Sequence, residues 1–494
     1  MRLMLLVNIV VVFYVSILIV ACGGGTHSKK NELKLPEIFN DGMVLQRDRP
    51  IPIWGTAKEG QNIHVSFNSQ IFSTVAAKDG GWLLMLPAMS AGGGTYELII
   101  DADVRIKIKD ILIGDVWIAG GQSNMEWAMN WGVANGEAEM DNANYSDIRF
   151  FRVPYAYSAT PLNDVKFSSW MKGTSENLKN QQFSAVSWYF SKQNYLNKNV
   201  PVGVIDTSVR STNAFEWVSL TSLITLPSYA DAAKDILSNS DFWNNYFRKN
   251  PKEITTALPG LLYNAMIAPL EGFGVRGFIW YQGESNVGDN NYDSLFAKLI
   301  TEWRVGWSNK NNYVEELPFL FVQLASYSTQ ESEPSESPWA NLRNAQKKAL
   351  SIPNTGMAVT IDIGDTSSMH PANKKDVGER LWLAARKVAF DEDITSSGPL
   401  ATGVEFHVDH ALVNYDYVDQ GLAIHGNILL GFELAGEDGI FRNATAAIDG
   451  NHVIVKTEGS NAPKSIRYGW ANNSPCNLYN TAGLPAVPFQ WPDK

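Results

Sequence analysis

Between residues 115 and 390 the chain alternates short apolar runs with helical patterns, and this alternation restricts the fold more than any other feature. Several runs are apolar throughout, as in strands that are buried on both faces of a parallel sheet. The intervening helices predict right-handed crossovers and an α/β/α architecture, with ligands at the carboxyl ends of the strands. The predicted strands are 116–119, 202–206, 277–281, 319–324 and 357–363, and the predicted helices are 183–196, 292–303, 339–350 and 377–388.

Two all-β regions flank this segment. Apolar and polar residues alternate at 63–67 and again at 96–100, which predicts half-buried strands and a small N-terminal β-sandwich. Near the other end, Asp449-Gly450-Asn451-His452 lies between two apolar runs and indicates a hairpin. The C-terminal region either stands alone or completes the N-terminal sandwich. The predicted domains are an N-terminal β-sandwich at 35–111, an α/β domain at 112–394 and a C-terminal β-domain at 395–494.

Length and charge narrow the class of protein. A chain of 494 residues is too long for one core, since domains average roughly 150 residues. The 40 basic and 51 acidic residues give a net charge of −11, and no basic cluster is present to neutralise a phosphate backbone. We therefore expect a multidomain globular protein that does not bind nucleic acid.

The N-terminus carries a secretory pattern. Arg2 precedes a mostly apolar run at 3–21, which ends at Cys22 and three glycines. The residues before Cys22 resemble the bacterial lipobox, which implies a signal peptide at 1–21, lipidation of Cys22 and a tether at 22–34. The alternative is an uncleaved membrane anchor, because the run approaches the ~20 residues that span a bilayer. Either reading places the α/β domain outside the cytoplasm of a bacterium, in the periplasm or at the outer membrane.

Polar clusters follow the predicted strands at the edge where ligands should bind. The stretch 120–127, Gly-Gly-Gln-Ser-Asn-Met-Glu-Trp, places Ser123 where the first strand turns toward a helix. Further clusters occupy 207–213, 282–286 and 364–371. Acyl transfer by serine needs a base, a group that orients the base and donors for the oxyanion. Together these clusters contain all three classes of group.

The same clusters form a specific pattern that extends along the chain. The blocks Gly121-Gln122-Ser123-Asn124-Met125, WYQGESN at 280–286, and His370-Pro371 with Lys374 and VGERL at 377–381 resemble the sialate O-acetylesterase family of SGNH hydrolases. Blocks at 43–47, 114–117, 262–270 and 476–486 are also similar to that family. The resemblance implies an SGNH-hydrolase α/β/α sandwich with a parallel sheet. It also implies a serine esterase that removes O-acetyl groups from sugars without metal or other cofactor.

Carried over residue by residue, the resemblance makes Ser123 the nucleophile and His370 its base. The sequence itself supports His370, because the other six histidines lie in the tether or in the two β-regions. The acid is less defined: SGNH hydrolases commonly have an Asp three residues before the histidine, and this chain has Ser367 there. We expect Asp365 to orient His370. The alternatives are Asp362, Glu284 and a Ser–His dyad in which a backbone carbonyl orients the ring.

The oxyanion and substrate groups are predicted around the nucleophile. The Ser123 N–H should donate to the oxyanion, and the side-chain amides of Gln282 and Asn286 are further candidates. Gln122 and Asn124, which flank the serine, are also candidate substrate groups. Where the family has Ser-x-Gly-Gly-Thr, this chain has Arg210 and Ser211 in place of the two glycines. Arg210 is a candidate clamp for an anionic sugar, with filling of the pocket or solvent exposure as the alternatives.

These observations predict a lipid-anchored carbohydrate O-acetylesterase. Acetylated sialic acid is the first substrate class, and acetylated hemicellulose or another glycan is the second. A different class of function stays open: a glycan-binding lipoprotein on a degenerate esterase scaffold, as the missing Asp and the altered loop suggest. The predicted partners are an O-acetylated sugar and the membrane, and the sequence does not predict the oligomeric state.

Overall fold

The computed structural model describes residues 32–249, 257–311, 313, 315–456 and 462–493. The predicted signal peptide at 1–21, Cys22 and most of the tether lie outside these residues. Within the described ranges, no helix is both long enough and apolar enough to cross a membrane.

Seven strands form the N-terminal part of the chain. The alternation predicted at 63–67 is confirmed, since Ile63, Val65 and Phe67 are buried on one face of their strand. Strands β3, β4, β6 and β7 pair antiparallel, β1 joins β7 in parallel, and β2 pairs with β5. The strands are β1 (Val44–Gln46), β2 (Ile51–Thr56), β3 (Asn62–Phe67), β4 (Gln70–Val75), β5 (Gly81–Leu86), β6 (Tyr96–Asp101) and β7 (Arg105–Gly121).

Strand β7 connects the N-terminal strands to the α/β region. Its first residues pair with β6, and its last residues are buried on both faces in the centre of the large sheet. The run predicted at 116–119 is therefore the end of a 17-residue strand that passes through the predicted boundary at 111 and 112. The two halves have different sequence patterns because one has a solvent-exposed face and the other has none.

The large sheet is mixed, with a parallel central part. Its order is β13-β12-β11-β7-β10-β8-β9, and only β9 in this series runs antiparallel to its neighbour. The predicted bounds 202–206 and 277–281 are confirmed, whereas β8 is not predicted, because its first half is polar and two arginines interrupt its second half. The added strands are β8 (Asn144–Arg152), β9 (Trp170–Thr174), β10 (Val202–Asp206), β11 (Gly277–Tyr281), β12 (Phe319–Val322) and β13 (Thr355–Ala358).

Helices accompany this sheet and bury aromatic side chains against it. The four predicted helices are present with shifted ends. The turn expected after the first predicted strand leads into a short helix that begins at Ser123. The helices are α1 (Ser123–Glu126), α2 (Gly136–Asp141), α3 (Ser175–Asn180), α4 (Ala185–Lys198), α5 (Leu220–Leu223), α6 (Pro227–Ser238), α7 (Ser240–Lys249), α8 (Tyr292–Asn311), α9 (Pro338–Lys348) and α10 (Lys374–Phe390).

The C-terminal strands pair among themselves and bury a core of their own, so they do not complete the N-terminal sheets. The predicted hairpin is confirmed as β19 and β20. The strands are β14 (Leu400–Phe406), β15 (Ala411–Asp416), β16 (Leu422–Ile424), β17 (Phe432–Ala435), β18 (Arg442–Asn443), β19 (Thr445–Asp449), β20 (His452–Lys456), β21 (Ser465–Tyr468), β22 (Leu478–Asn480) and β23 (Phe489–Trp491).

Candidate active site

The turn between β7 and α1 presents Ser123 at the carboxyl edge of the sheet. Gly121 has a φ of 134°, and a Cβ there would lie 2.1 Å from the carbonyl oxygen of Tyr281, so only glycine fits. The Gln122 side chain is buried, and its Oε1 accepts hydrogen bonds from the N–H groups of Gly283 and Ser285. Gln122 therefore fixes the turn to the neighbouring loop and does not face a substrate.

The structure brings Ser123 and His370 together across 247 residues of sequence. His370 Nε2 lies 2.8 Å from Ser123 Oγ. The imidazole stacks on the indole of Trp127, with ring centroids 4.8 Å apart and planes inclined by 24°. Burial, and secondly the charge of Lys374, lower the pKa of His370 below its ordinary value. A neutral imidazole in contact with a serine hydroxyl is the arrangement that general-base catalysis requires.

The three candidate carboxylates do not reach the imidazole. Asp365 Oδ1 accepts hydrogen bonds from the Ser367 N–H and hydroxyl, each at 2.7 Å, and from the Ser368 N–H. The Asp365 side chain thus closes a local turn. Asp362 forms a two-pronged ion pair with Arg380 at 2.6 and 2.8 Å. Among the described residues, no carboxylate pairs with the His370 ring, so the expectation that Asp365 orients the base is not supported.

Glu284, the third candidate, belongs to a network beneath the nucleophile. Its Oε1 accepts a hydrogen bond of 2.5 Å from Asn124 Nδ2, which also donates to the carbonyl oxygen of Met369 at 2.9 Å. Lys374 Nζ donates to Asn124 Oδ1. Asn124 is only 1% exposed, so it joins these groups inside the protein and does not contact substrate.

Gln282 and Asn286 hold two loops together and are not free to bind an oxyanion. Gln282 is fully buried, and its Nε2 donates to the Thr212 carbonyl oxygen and to Asn286 Oδ1 at 3.1 and 2.7 Å. The Asn286 amide nitrogen donates to Asn213 and Asp289. The expectation that either side chain stabilises an oxyanion is therefore not supported, because their donors are already used inside the protein.

Arg210 is bound to Glu126, and its side chain is 54% exposed. Both its Nη2 and its backbone N–H donate to the Glu126 carboxylate, at 2.8 and 2.6 Å, and its guanidinium lies over the Trp131 ring. Glu126 is fully buried and also accepts from Arg152. Ser211 is exposed and has a φ of 58°, the left-handed conformation that glycine adopts most easily.

Three functional features of this site were not predicted from the sequence. The Trp127 indole stacks on the imidazole, Glu126 forms ion pairs with two arginines, and Lys374 is fully buried and bonded to Asn124. Glu126 and Trp127 lie within the stretch 120–127, and Lys374 follows His370 by four residues at the first position of a helix. Proximity to the two key residues was the available signal. In the described part of the chain, no cluster of three or more His, Cys, Asp or Glu side chains is arranged to hold a metal ion.

Comparison with known proteins gives concordant matches. Residues 113–385 match the family model described as carbohydrate esterase, sialic acid-specific acetylesterase. The mouse sialate O-acetylesterase is 30% identical, over 90% of this chain and 92% of the relative. The human sialate O-acetylesterase is 29% identical, over 91% of each chain. The crystal structure of a carbohydrate acetylesterase from Xanthomonas citri matches with a TM-score of 0.82 and 37% identity, and covers 93% of this chain and 99% of that one.

Proposed function

Because the chain belongs to the sialic acid-specific acetylesterase family of carbohydrate esterases and is thus a carboxylic ester hydrolase, we propose that it removes O-acetyl groups from sugars with a Ser123–His370 dyad. The 2.8 Å contact between His370 Nε2 and Ser123 Oγ carries the proposal. His370 takes the hydroxyl proton as Ser123 attacks the acetyl carbonyl, and it returns that proton to the departing sugar oxygen. A water molecule deprotonated by His370 then hydrolyses the acetyl-serine.

Two backbone groups are assigned to the oxyanion in this proposal. The Ser123 N–H is the first of α1, and the first N–H groups of a helix have no acceptor within it. The second is the Ser211 N–H, because the N–H of its neighbour Arg210 already donates to Glu126; both residues are exposed. Donors of this kind are worth ~10²–10³ in rate each.

The test is hydrolysis of p-nitrophenyl acetate by the purified protein and by Ser123→Ala. We expect activity in the wild type and a loss of roughly 10⁴-fold or more in the variant, because the nucleophile is gone. A fluorophosphonate should label Ser123 in the wild type alone. Absence of both activity and labelling would favour the glycan-binding alternative instead.

For the substrate, we propose O-acetylated sialic acid first, which the names of the mouse and human relatives support. A second candidate is a neutral acetylated glycan such as hemicellulose. The pairing of Arg210 with Glu126 favours the second candidate, because a guanidinium that is already neutralised binds a sugar carboxylate weakly. The two candidates therefore differ in what they require of Arg210.

Acetate release from a panel of acetylated sialic acid and acetylated xylan distinguishes them. If sialic acid is the substrate and Arg210 clamps it, Arg210→Gln should raise KM for that sugar about tenfold and leave p-nitrophenyl acetate turnover nearly unchanged. Equal KM values before and after the substitution would remove Arg210 from recognition. Faster release from xylan would identify the neutral glycan.

We also propose that the protein is an extracytoplasmic lipoprotein of a bacterium, with residues 1–21 as signal peptide and Cys22 as the lipidated residue. The apolar run and the residues before Cys22 support this proposal. Mass spectrometry of the N-terminal peptide should show a diacylglyceryl group on Cys22. Cys22→Ser should release the protein from membranes, and retention on membranes would favour the uncleaved anchor.

A further inference from the structure

Lys374 is a fully buried lysine at the centre of the site. It is the first residue of α10, where the helix presents its positive end, so two features of its position oppose its charge. Burial lowers the pKa of Lys374 to about 7. Its ammonium lies 5.5 Å from the Trp127 ring centroid and 5.9 Å from that of Tyr281, and it donates to Asn124 Oδ1. A buried cation at such a position calls for a functional explanation.

Asn124 links this cation to both halves of the dyad. It follows Ser123 directly, and its Nδ2 donates to the carbonyl oxygen of Met369, the residue before His370. The same Nδ2 donates to Glu284, whose Oε2 is shielded from solvent and has no hydrogen-bond partner in the described chain. The network therefore connects the turn that carries Ser123 with the loop that carries His370.

Trp127 provides a second link. Its indole stacks on the His370 imidazole and also lies within cation–π range of the Lys374 ammonium. Within the described ranges, the imidazole thus has a cation nearby and no carboxylate bonded to its ring. Protonation of His370 would place two positive charges close together without an anion to stabilise the second.

We propose that Lys374 is a positioning residue for the esterase reaction: it holds His370 against Ser123 through Asn124 and Trp127, and while it is protonated its charge keeps the resting imidazole in the neutral form, the form that can accept the serine proton. This inference rests on the proposed function. It deepens that proposal by giving the dyad a buried cation behind Asn124 and Trp127. The sign of the charge matters, because a triad carboxylate favours the protonated imidazole and a cation disfavours it.

The other ionisable groups around the base are consistent with this role. Glu284 faces Lys374 from the loop after β11; burial raises the pKa of Glu284, and its Oε1 is bonded to the intervening Asn124 amide. Asp365, on the base's own loop, turns to Ser367. On the far side of the turn, Glu126 is matched by Arg152 and Arg210. Among the described residues, Lys374 is therefore the charge that acts on His370, whose pKa is lowered first by burial and secondly by this ammonium.

The first test is an NMR titration of the full chain labelled with ¹³C at histidine Cε1, with His370→Asn to assign the signal. We expect the wild-type His370 midpoint to lie below pH 6.5, the ordinary value for histidine. Lys374→Met should raise it by about one pH unit, because the repelling charge is lost. Lys375→Met is the matched control, since Lys375 is 58% exposed on the same helix and its removal should leave the midpoint unchanged.

The second test is the pH profile of kcat/KM with p-nitrophenyl acetate. Its acidic limb should move upward with the NMR midpoint in Lys374→Met, whereas a merely structural role would lower kcat without moving the limb. If Lys374→Met does not fold by circular dichroism, Lys374→Gln removes the charge and keeps a donor for Asn124.

Two results would overturn the inference: a wild-type midpoint at or above pH 6.5, or an unchanged midpoint in a folded, uncharged Lys374 variant. Because the NMR titration needs no turnover, it reports on Lys374 even if the esterase reaction itself is not found. The first of these two results needs only the wild-type protein, so the proposal can be overturned without any variant.

Discussion

Two acidic side chains flank the nucleophile turn, and the protein neutralises them in different ways. Glu126, at the end of α1, is fully buried and forms ion pairs with both Arg152 and Arg210. Glu284, across the turn, receives one amide hydrogen bond from Asn124 and meets its cation, Lys374, only through that amide. The first carboxylate is fully paired and the second is held with an oxygen left unpaired.

The difference separates a structural role from a functional one. A buried carboxylate that is bonded directly to two arginines is a fixed anchor, because its charge stays compensated even when one of the two cations is removed. Glu284 and Lys374 are joined only through the Asn124 amide. Burial raises the pKa of Glu284 and lowers the pKa of Lys374, so both shifts favour the neutral form. The anchored side holds the Arg210 loop in place. The Glu284–Lys374 side lies next to His370, the proposed general base, because Asn124 also donates to the carbonyl oxygen of Met369.

The largest effect is expected on the anchored side. Glu126→Gln removes a fully buried anion that is bonded to both Arg152 and Arg210, although Arg152 keeps Asp206 at 3.3 Å and the Arg210 side chain is 54% exposed. We therefore expect a loss of about 2 kcal/mol in the free energy of unfolding, less than for a fully buried pair that loses one partner. Urea denaturation followed by tryptophan fluorescence measures it. A loss below about 1 kcal/mol would mean that the two arginines find other partners and that the anchor is not needed.

A smaller effect is expected from the matched substitution on the other side. Glu284→Gln keeps an oxygen for Asn124 and removes a charge that the site holds poorly, so the loss should be about 1 kcal/mol or less. A raised pKa in the folded state means that stability is fully present below the unfolded value, about 4.5, and is lost as pH rises through the folded pKa. The free energy of unfolding of the wild type should therefore fall relative to that of Glu284→Gln as pH rises from 4.5. Equal losses for Glu284→Gln and Glu126→Gln would contradict the comparison.

The smallest effect is expected at Asp365. Its carboxylate is occupied with Ser367 and Ser368, so Asp365→Asn should change kcat/KM for p-nitrophenyl acetate by less than about threefold. His370→Asn, measured beside it, should lose roughly 10³-fold or more. A loss of comparable size in Asp365→Asn would show that the loop rearranges to bring this carboxylate to the imidazole and would restore a triad.

Much of the fold was predictable because complete burial leaves a direct mark on sequence. Strands β10 and β11 are apolar at nearly every position, and their bounds follow from that alone. Strand β8 has polar residues in its first half, which is partly exposed to solvent. Only its parallel pairing with β10 shows that it is part of the large sheet. The same holds for β7, whose length depends on pairing with strands of two regions.

The sequence by itself predicted Ser123 as nucleophile and His370 as base, together with the strand ends near them, because both residues lie in local motifs beside strand ends and helix starts. Tertiary structure alone decided which groups neutralise one another around them. Glu126 meets Arg210 across 84 residues and Asn124 meets Lys374 across 250, and no local pattern encodes such contacts. The physical reason is that a side chain's charge state depends on burial and on its partners, and both are set only when distant segments pack together.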